Sequence, residues 1–447
     1  MELMVEETLY DKTSVESILA FAKKLTNKTL EELTDLTLDK INVNNRGDLG
    51  TLIEQFYFKH KPPNNHDPDF PEAGGKGLEL KTTGVKKVKN QYRAKERLVL
   101  TMIDYENIVQ EKWSDSKFLR KCGLMLILFY LYSKETPVHQ RRFVIDPLLY
   151  NLIETDENII RKDWEFIRNK IQLGKAHELS EGDTIYLGAC RKGSGGANEK
   201  LRNQPNSEIK AKARAFSFKP EYINSLLTSH LLNEDLTIIT NSELTFEQMT
   251  INKFTPFLGK TIQQIGEEIG YIRANPKQKS YEAELVKRII SGGKSKVPEL
   301  DKAGIITKTV RLKKGKLKES ISFPYFKYLE IIDEEWEDSV FFEKIERKFL
   351  WIVLDTDSQN KYFLKKVGYW NMPYEDRLEA EKVWRETKRR VAIDASNLPK
   401  QSENRVAHVR PHASNKLDTL PTPQGKNEVK KSFWLNKAYI ENVLNSL

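Results

Sequence analysis

The sequence predicts a mixed α/β protein built as two related domains, residues 1–232 and 250–447. Three observations carry this reading. Helix-period and strand-like apolar patterns are interleaved along the chain. Its 447 residues exceed what one hydrophobic core usually supports. Motifs of the first half recur, in order, in the second.

The interleaving is read from the N-terminus. Thr13-Ser14-Val15-Glu16 is a capping-box pattern, with Ile18, Leu19, Ala22 and Leu25 following at helical spacing. Thr29-Leu30-Glu31-Glu32 starts a second, short helix, and Gly47 to Glu54 opens another. Lys59 to Gly77, rich in proline, reads as loop. Strands are expected at Leu78–Thr82, Leu98–Ile103 and Leu124–Tyr132. Asp156–Leu173 reads as an amphipathic helix, with Ile160, Trp164, Ile167 and Ile171 on one face and Gly174 as its stop. A loop rich in Gly and Lys is expected from Gly188 to Gly196.

The recurrence is loose but ordered. Lys28-Thr29-Leu30 returns as Lys260-Thr261-Ile262, and Pro68 to Gly74 as Pro298 to Gly304. Leu80-Lys81-Thr82 is echoed by Thr307-Lys308-Thr309. Arg120-Lys121 before an apolar run is matched by Arg347-Lys348, and Lys162-Asp163-Trp164 by Lys382-Val383-Trp384. A diverged duplication, joined between Asn233 and Lys253, accounts for all five.

Composition narrows the function classes. Two cysteines without a CxxC pair exclude a disulfide framework or cysteine zinc site and fit a reducing cytoplasm. The longest apolar run, Gly123–Tyr132, is about half a membrane span, and the acidic start carries no secretory pattern. A cytoplasmic protein without a membrane partner is expected. A net charge of +9 favours a polyanionic partner such as nucleic acid.

The chemistry is concentrated at Pro68-Asp69 and Glu79-Leu80-Lys81. On a strand, Glu79 and Lys81 share a face while Leu80 packs inward, and Asp69 arrives from the preceding loop. Two carboxylates brought together call for a cation, and Mg²⁺ with its preference for oxygen, water and phosphate suits them. Such a metal activates water and stabilises the charge that builds on an attacked phosphodiester, with Lys81 beside it. This is the PD…ExK arrangement of many nucleases. In the second half, Glu299 stands for Asp69 and Lys308 for Lys81, but Ile306 replaces Glu79.

These residues carry a resemblance. Gly47 to Glu54, Asp69-Phe70 and Gly77 to Thr82 resemble the MutH family of GATC-directed mismatch-repair nickases. With Lys95 to Leu100, Asp163-Trp164-Glu165, Gly174 to Ser180 and His408 to His412, nearly the whole chain resembles the Sau-type GATC-cutting type II restriction endonucleases. The resemblance implies two restriction-endonuclease-like domains in a pseudo-dimeric chain. It also implies Mg²⁺-dependent hydrolysis of double-stranded DNA before the G of GATC. Asp69 and Glu79 would be metal ligands, Lys81 the catalytic lysine, Glu54 a further acidic residue and Lys121 a second active-site lysine. Nine residues separate Asp69 from Glu79, more than in MutH, so Gly-Gly-Lys-Gly must bulge, and Asp67 competes with Asp69 as the ligand.

The same resemblance puts Lys192 at a base-reading position in the loop Tyr186–Gly193, with Arg191, Lys200, Lys210 and Lys212 as phosphate contacts. The second copy offers Arg410, His412 and Asn415 as a reading loop and Trp434 as a DNA contact. His408 and His412 lack companions for a transition-metal site, and His66 reads as an exposed loop residue. The expectation is a restriction enzyme, monomeric or dimerising on DNA, whose second domain binds another GATC site as an effector. Its rivals are a mismatch-repair nickase and a catalytically silent DNA-binding regulator.

Overall fold

A computed structural model of the protein describes residues 9–34, 49–60, 67–193, 200–234, 244–273, 275, 278, 280–293, 298–318 and 320–447. For Thr155, Pro298 and Glu299 the description stops at the backbone. The chain divides into two compact units. The first comprises Met1–Leu179, Thr184–Lys192 and Lys200–Asn241; the second comprises Ser180–Asp183, Gly193–Glu199 and Ser242–Leu447. Among the described residues, no helix is long and apolar enough to cross a membrane.

In the first unit the strands are β1 (Glu79–Val88), β2 (Gln91–Ala94), β3 (Leu98–Met102), β4 (Leu124–Leu131), β5 (Phe143–Asn151), β6 (Leu187–Arg191), β7 (Arg202–Gln204), β8 (Ser207–Ala211) and β9 (Arg214–Phe218). They form sheets of order β2-β1-β4-β5, β3-β9-β6 and β7-β8. The run LMLILFYL makes β4 the interior strand of the main sheet, parallel to β1 and antiparallel to β5. Met125 to Tyr130 are all buried, as a strand covered on both faces requires. Each such side chain contributes roughly 1.5–3 kcal/mol of burial.

The second unit repeats the plan with β10 (Ile306–Lys313), β11 (Lys316–Leu317), β12 (Ile321–Tyr325), β13 (Phe349–Thr356), β14 (Tyr362–Trp370), β15 (Ala407–Pro411), β16 (Thr419–Pro421), β17 (Asn427–Val429) and β18 (Lys431–Leu435). Its sheets run β11-β10-β13-β14, β12-β18-β15 and β16-β17. Strand for strand, this is the order of the first unit. The recurring motifs do the same work in each copy. Thr29 and Thr261 both close capping boxes, and Lys28 and Lys260 each accept a backbone hydrogen bond from the neighbouring strand, from Phe143 and Leu364. Trp164 on the helix Glu157–Gln172 packs on Trp113 at 5.8 Å, and Trp384 on the helix Tyr374–Ile393 packs on Trp336 at 5.7 Å.

Several expectations are corrected. The first helix is capped by Ser14, not Thr13, and β1 runs on past Thr82 to Val88. The stretch expected as a loop from Gly188 is strand β6 as far as Arg191, because β9 supplies its ladder and the small Gly188, Ala189 and Cys190 pack flat. For the same reason the reading segment of the second copy is strand β15 as far as Pro411. Lys121 is matched by Lys344 rather than Lys348. Ser116 and Ser339 cap equivalent helices, Lys117–Cys122 and Val340–Ile345, and each lysine is the fifth residue after its cap. Lys348 is buried instead in an ion pair with Glu247 at 2.9 Å. Gly47, Asp48, His66, residues 194–196 and the Glu299 side chain lie outside the described residues.

The entry to β6 is fixed by one buried carboxylate. Asp163 accepts hydrogen bonds from the backbone N–H groups of Ile185, Tyr186 and Leu187 at 2.7, 2.7 and 2.9 Å. In the second unit Val383 takes its place, and Asn404 caps the matching segment through the N–H groups of Val406 and Ala407. Burial pushes the Asp163 carboxyl up to about 6, against the pull of Lys219 and the three amides. A folded value above the ordinary 3.8 means that folding takes up a proton in that window. The resulting stabilisation is complete below about 3.8 and is lost as pH rises through about 6. Urea unfolding should therefore show wild type losing stability relative to Asp163→Asn between pH about 4 and about 7. A difference that does not change with pH would contradict the burial argument.

Candidate active site

The site grows from the first turn of the β1–β4 pair. Glu79 opens β1 beside Met125, and Lys81 lies beside Ile127. Leu80 points into the core, leaving Glu79 and Lys81 on the opposite face. Glu79 is only 2 % exposed. Its Oε1 accepts a hydrogen bond from Lys81 Nζ at 2.6 Å and faces Lys121 Nζ at 3.5 Å. Lys121 is delivered there by the last turn of the helix Lys117–Cys122, just before β4 begins. Oε2 is buried and has no hydrogen-bond partner among the described residues. Burial pushes the Glu79 carboxyl above its usual range and the charge of Asp69 adds to this, while the two lysines oppose it. Burial works most strongly against the Lys81 ammonium, but Glu79, Cys122 and Asp69 together outweigh it and hold the lysine above its usual value.

Asp69 reaches this centre because its loop is closed by a single rung of sheet. Phe70 and Leu78 exchange both backbone hydrogen bonds at 2.9 Å, and the residues between them fold into a turn around Ala73–Gly75. The bulge required by the long Asp69–Glu79 spacing is thus present, and Asp69 Oδ2 accepts from the Leu80 N–H at 2.7 Å. Asp69 is buried and Asp67 half-buried, and it is Asp69 whose charge acts on Glu79. Gly77 makes the closure possible: its φ is +83°, and a Cβ there would lie 2.4 Å from Pro68 Cγ.

Glu54 lies on a helix that widens from Leu49–Leu52 into a π turn, Ile53–Tyr57. It lines a cleft of about 600 Å³ together with Lys81, Thr82, Thr83, Glu96, Arg97, Arg191 and Lys192. The buried Arg214 holds β6 against this cleft by donating to the Ala189 and Leu179 carbonyls, each at 2.6 Å. The structure thus brings Glu54, Lys81, Arg191 and Lys192 to one cleft; Asp69, Glu79 and Lys121 do not line it, and Glu79 is joined to it through its hydrogen bond with Lys81. Lys210 lies on β8, Lys200 and Lys212 flank the β7–β8 hairpin, and none of the three lines the cleft. Glu96 and Arg97 were not assigned a role from the sequence; a charged triplet directly before an apolar strand was the available signal.

In the second unit, the Arg410 guanidinium lies over the Trp434 ring at 4.2 Å and the His412 ring is 5.5 Å from it. Strand register matches His412 with Lys192 and Trp434 with Ser217. Asn415 stands apart in an exposed turn, where its side chain accepts from the Leu417 N–H. His408 is buried and its ring nitrogen Nδ1 is 2.6 Å from Asn436 Oδ1. Four strand positions separate it from His412, about 13 Å, so the two do not make a metal pair.

The donor set fits a hard divalent cation. Among the described residues no group of three or more His, Cys, Asp or Glu is placed to hold a metal. Mg²⁺, however, is commonly held by one or two carboxylates completed by water and phosphate. The orphaned Glu79 Oε2 and the adjacent Asp69 supply that pair.

The profile of the family "DNA mismatch repair enzyme MutH" matches residues 58–163 and, again, 290–382. The chain is 33 % identical to the type II restriction enzyme Sau3AI of Staphylococcus aureus, across 90 % of this chain and 93 % of that protein. It is 25 % identical to the DNA mismatch repair protein MutH of Serratia proteamaculans, across 47 % of this chain and 90 % of that protein. The corresponding Escherichia coli protein is 26 % identical, across 48 % and 93 %.

Gly77→Ala is expected to cost about 1–3 kcal/mol, because it combines a left-handed backbone with a clash against the Pro68 ring, and to lower cleavage through displacement of Asp69. Gly75→Ala, with φ +69° but nothing within 4 Å of its Cβ, should cost less. Urea unfolding of both variants checks this; equal losses would leave the close approach to Pro68 without consequence.

Proposed function

The chain belongs to the family that includes the type II restriction enzyme Sau3AI and the MutH proteins, and is a restriction endonuclease; on that premise we propose that it uses Mg²⁺ to cut double-stranded DNA 5′ of the G in GATC. In this reading the first unit cuts, and the second binds a further GATC site as an effector. The observation that carries the catalytic assignment is Glu79: one oxygen is held between two ammonium groups, and the other is buried with no hydrogen-bond partner among the described residues.

A bound divalent cation would supply charge neutralisation at the phosphate and a more acidic water. The protein's own residues do the rest. Asp69 and Glu79 would hold the cation, and the hydrogen bond from Leu80 N–H fixes one Asp69 oxygen. Lys81, raised above its usual value by Glu79 together with Cys122 and Asp69, would act by charge and orientation. With one N–H on Glu79, its others are left for the attacking water or a phosphate oxygen. Lys121 adds a second positive charge where negative charge builds as water attacks phosphorus and the bond to the leaving sugar oxygen breaks. Lys192, at the end of β6, is the proposed reader of a purine edge, with Arg191 on the backbone and Glu54 on the cleft wall.

Ile306 takes the register position of Glu79 in the second unit, so that unit lacks this carboxylate. Cutting both strands then calls for two chains meeting on DNA, or for two successive cuts. Arg410, Trp434 and His412 offer the second unit a cationic and aromatic face toward DNA.

Glu79→Ala is expected to abolish cleavage of a GATC plasmid in Mg²⁺ while leaving duplex affinity within a few-fold of wild type. Cleavage near the wild-type rate would sink the assignment, and nicked circles from wild type as the end product would favour the mismatch-repair reading. For the effector role, wild type should cut a two-site plasmid faster than a one-site plasmid. Arg410→Ala should lose that advantage without losing thermal stability. Equal wild-type rates on the two plasmids would make the second unit a clamp.

A further inference from the structure

The second unit keeps the lysines of the active site without the carboxylate that joins them. Ile306 opens β10 beside Phe349, as Glu79 opens β1 beside Met125, and Lys308 follows two residues later on the same face. Lys344 occupies the place of Lys121, five residues after its capping serine. In the first unit both ammonium groups converge on Glu79 Oε1.

Among the described residues of the second unit, nothing anionic takes that position. Lys308 is half-buried and has no hydrogen bond or ion pair with any described residue. Burial, and then the charge of Lys344, lower its pKa. The acidic neighbour of Lys344 is Glu343, at 3.2 Å, a half-exposed residue shared with Arg347. Two cations whose charges act on each other, one of them half-buried and without an ion-pair partner among the described residues, suit the binding of an anion.

We infer that Lys308 and Lys344 form a metal-independent phosphate site in the second unit, and that it grips one backbone phosphodiester of bound DNA. Where the first unit has two carboxylates that would hold a cation, the described residues of the second retain the positive charges that would hold a phosphodiester. Replacing Glu79 by isoleucine removes the metal ligand and, in the same step, frees the lysines for the phosphate. This rests on the reading of the second unit as DNA-binding, but not on its being an effector.

The test uses the full-length protein in EDTA and follows acylation of Lys308 by mass spectrometry. Both inorganic phosphate and a GATC duplex should protect Lys308, the duplex at far lower concentration. In Lys308→Met, the slope of log affinity against log salt for the duplex should become shallower by about one, the signature of one lost phosphate contact. Ile306→Glu, which supplies an internal partner as Glu79 does for Lys81, should give the same change in slope with no fall in the thermal midpoint. An unchanged slope in both variants, or Lys308 equally reactive with and without duplex, would overturn the inference. Protection by phosphate but not by duplex would overturn its DNA part. Failure of the DNA-binding reading itself would appear separately, as Arg410→Ala with wild-type duplex affinity.

Discussion

Everything around the first unit's cleft answers to the burial of one charge. A carboxylate removed from water costs several kcal/mol unless it is paired and hydrogen-bonded. Among the described residues, Glu79 is paired through one oxygen. Three separate stretches of chain are needed to reach even that state. The strand supplies Lys81, the helix before β4 supplies Lys121, and the loop before β1 brings Asp69 close enough to raise the cost again. The protein alone leaves this centre under-compensated. That is the condition in which a divalent cation and a phosphate gain most by entering.

The two units separate what the fold requires from what the chemistry requires. Both retain the threonine capping box, the indole pair and the buried strand at the middle of the main sheet. They differ at Glu79 and Ile306, at Asp163 and Val383, and at Lys192 and His412. The first group consists of packing and backbone satisfaction, which any copy of this architecture must solve. The second consists of groups whose exchange leaves the strand order intact, so sites can be altered on a scaffold that stays the same.

This division also explains what was legible in the sequence. β4, the helix Glu157–Gln172 and the capped turn at Thr29 announce themselves through local period and composition. The exchange of Glu79 for Ile306 was readable because both open equivalent strands. β6 was not readable as a strand: Gly188, Ala189 and Cys190 have weak strand preference, and the ladder that orders them comes from Arg214–Phe218, distant in sequence. The pairing of Lys121 with Lys344 was hidden because the likeness of Arg120-Lys121 to Arg347-Lys348 is stronger in letters than in helix geometry. The approach of Asp69 to Glu79 depends on a single bridge that no propensity predicts.

That bridge has a consequence for how such proteins diverge. Because Phe70 and Leu78 fasten the two ends of the loop to each other, the chain between them is free to change length without moving either acidic residue. The interval between the aspartate and the glutamate is therefore not itself under geometric selection; the rung is. A pattern search with a fixed gap would pass over relatives that carry the same centre behind a longer or shorter loop. The turn at 71–76 is, by the same logic, a place where foreign sequence can be carried with the centre left undisturbed.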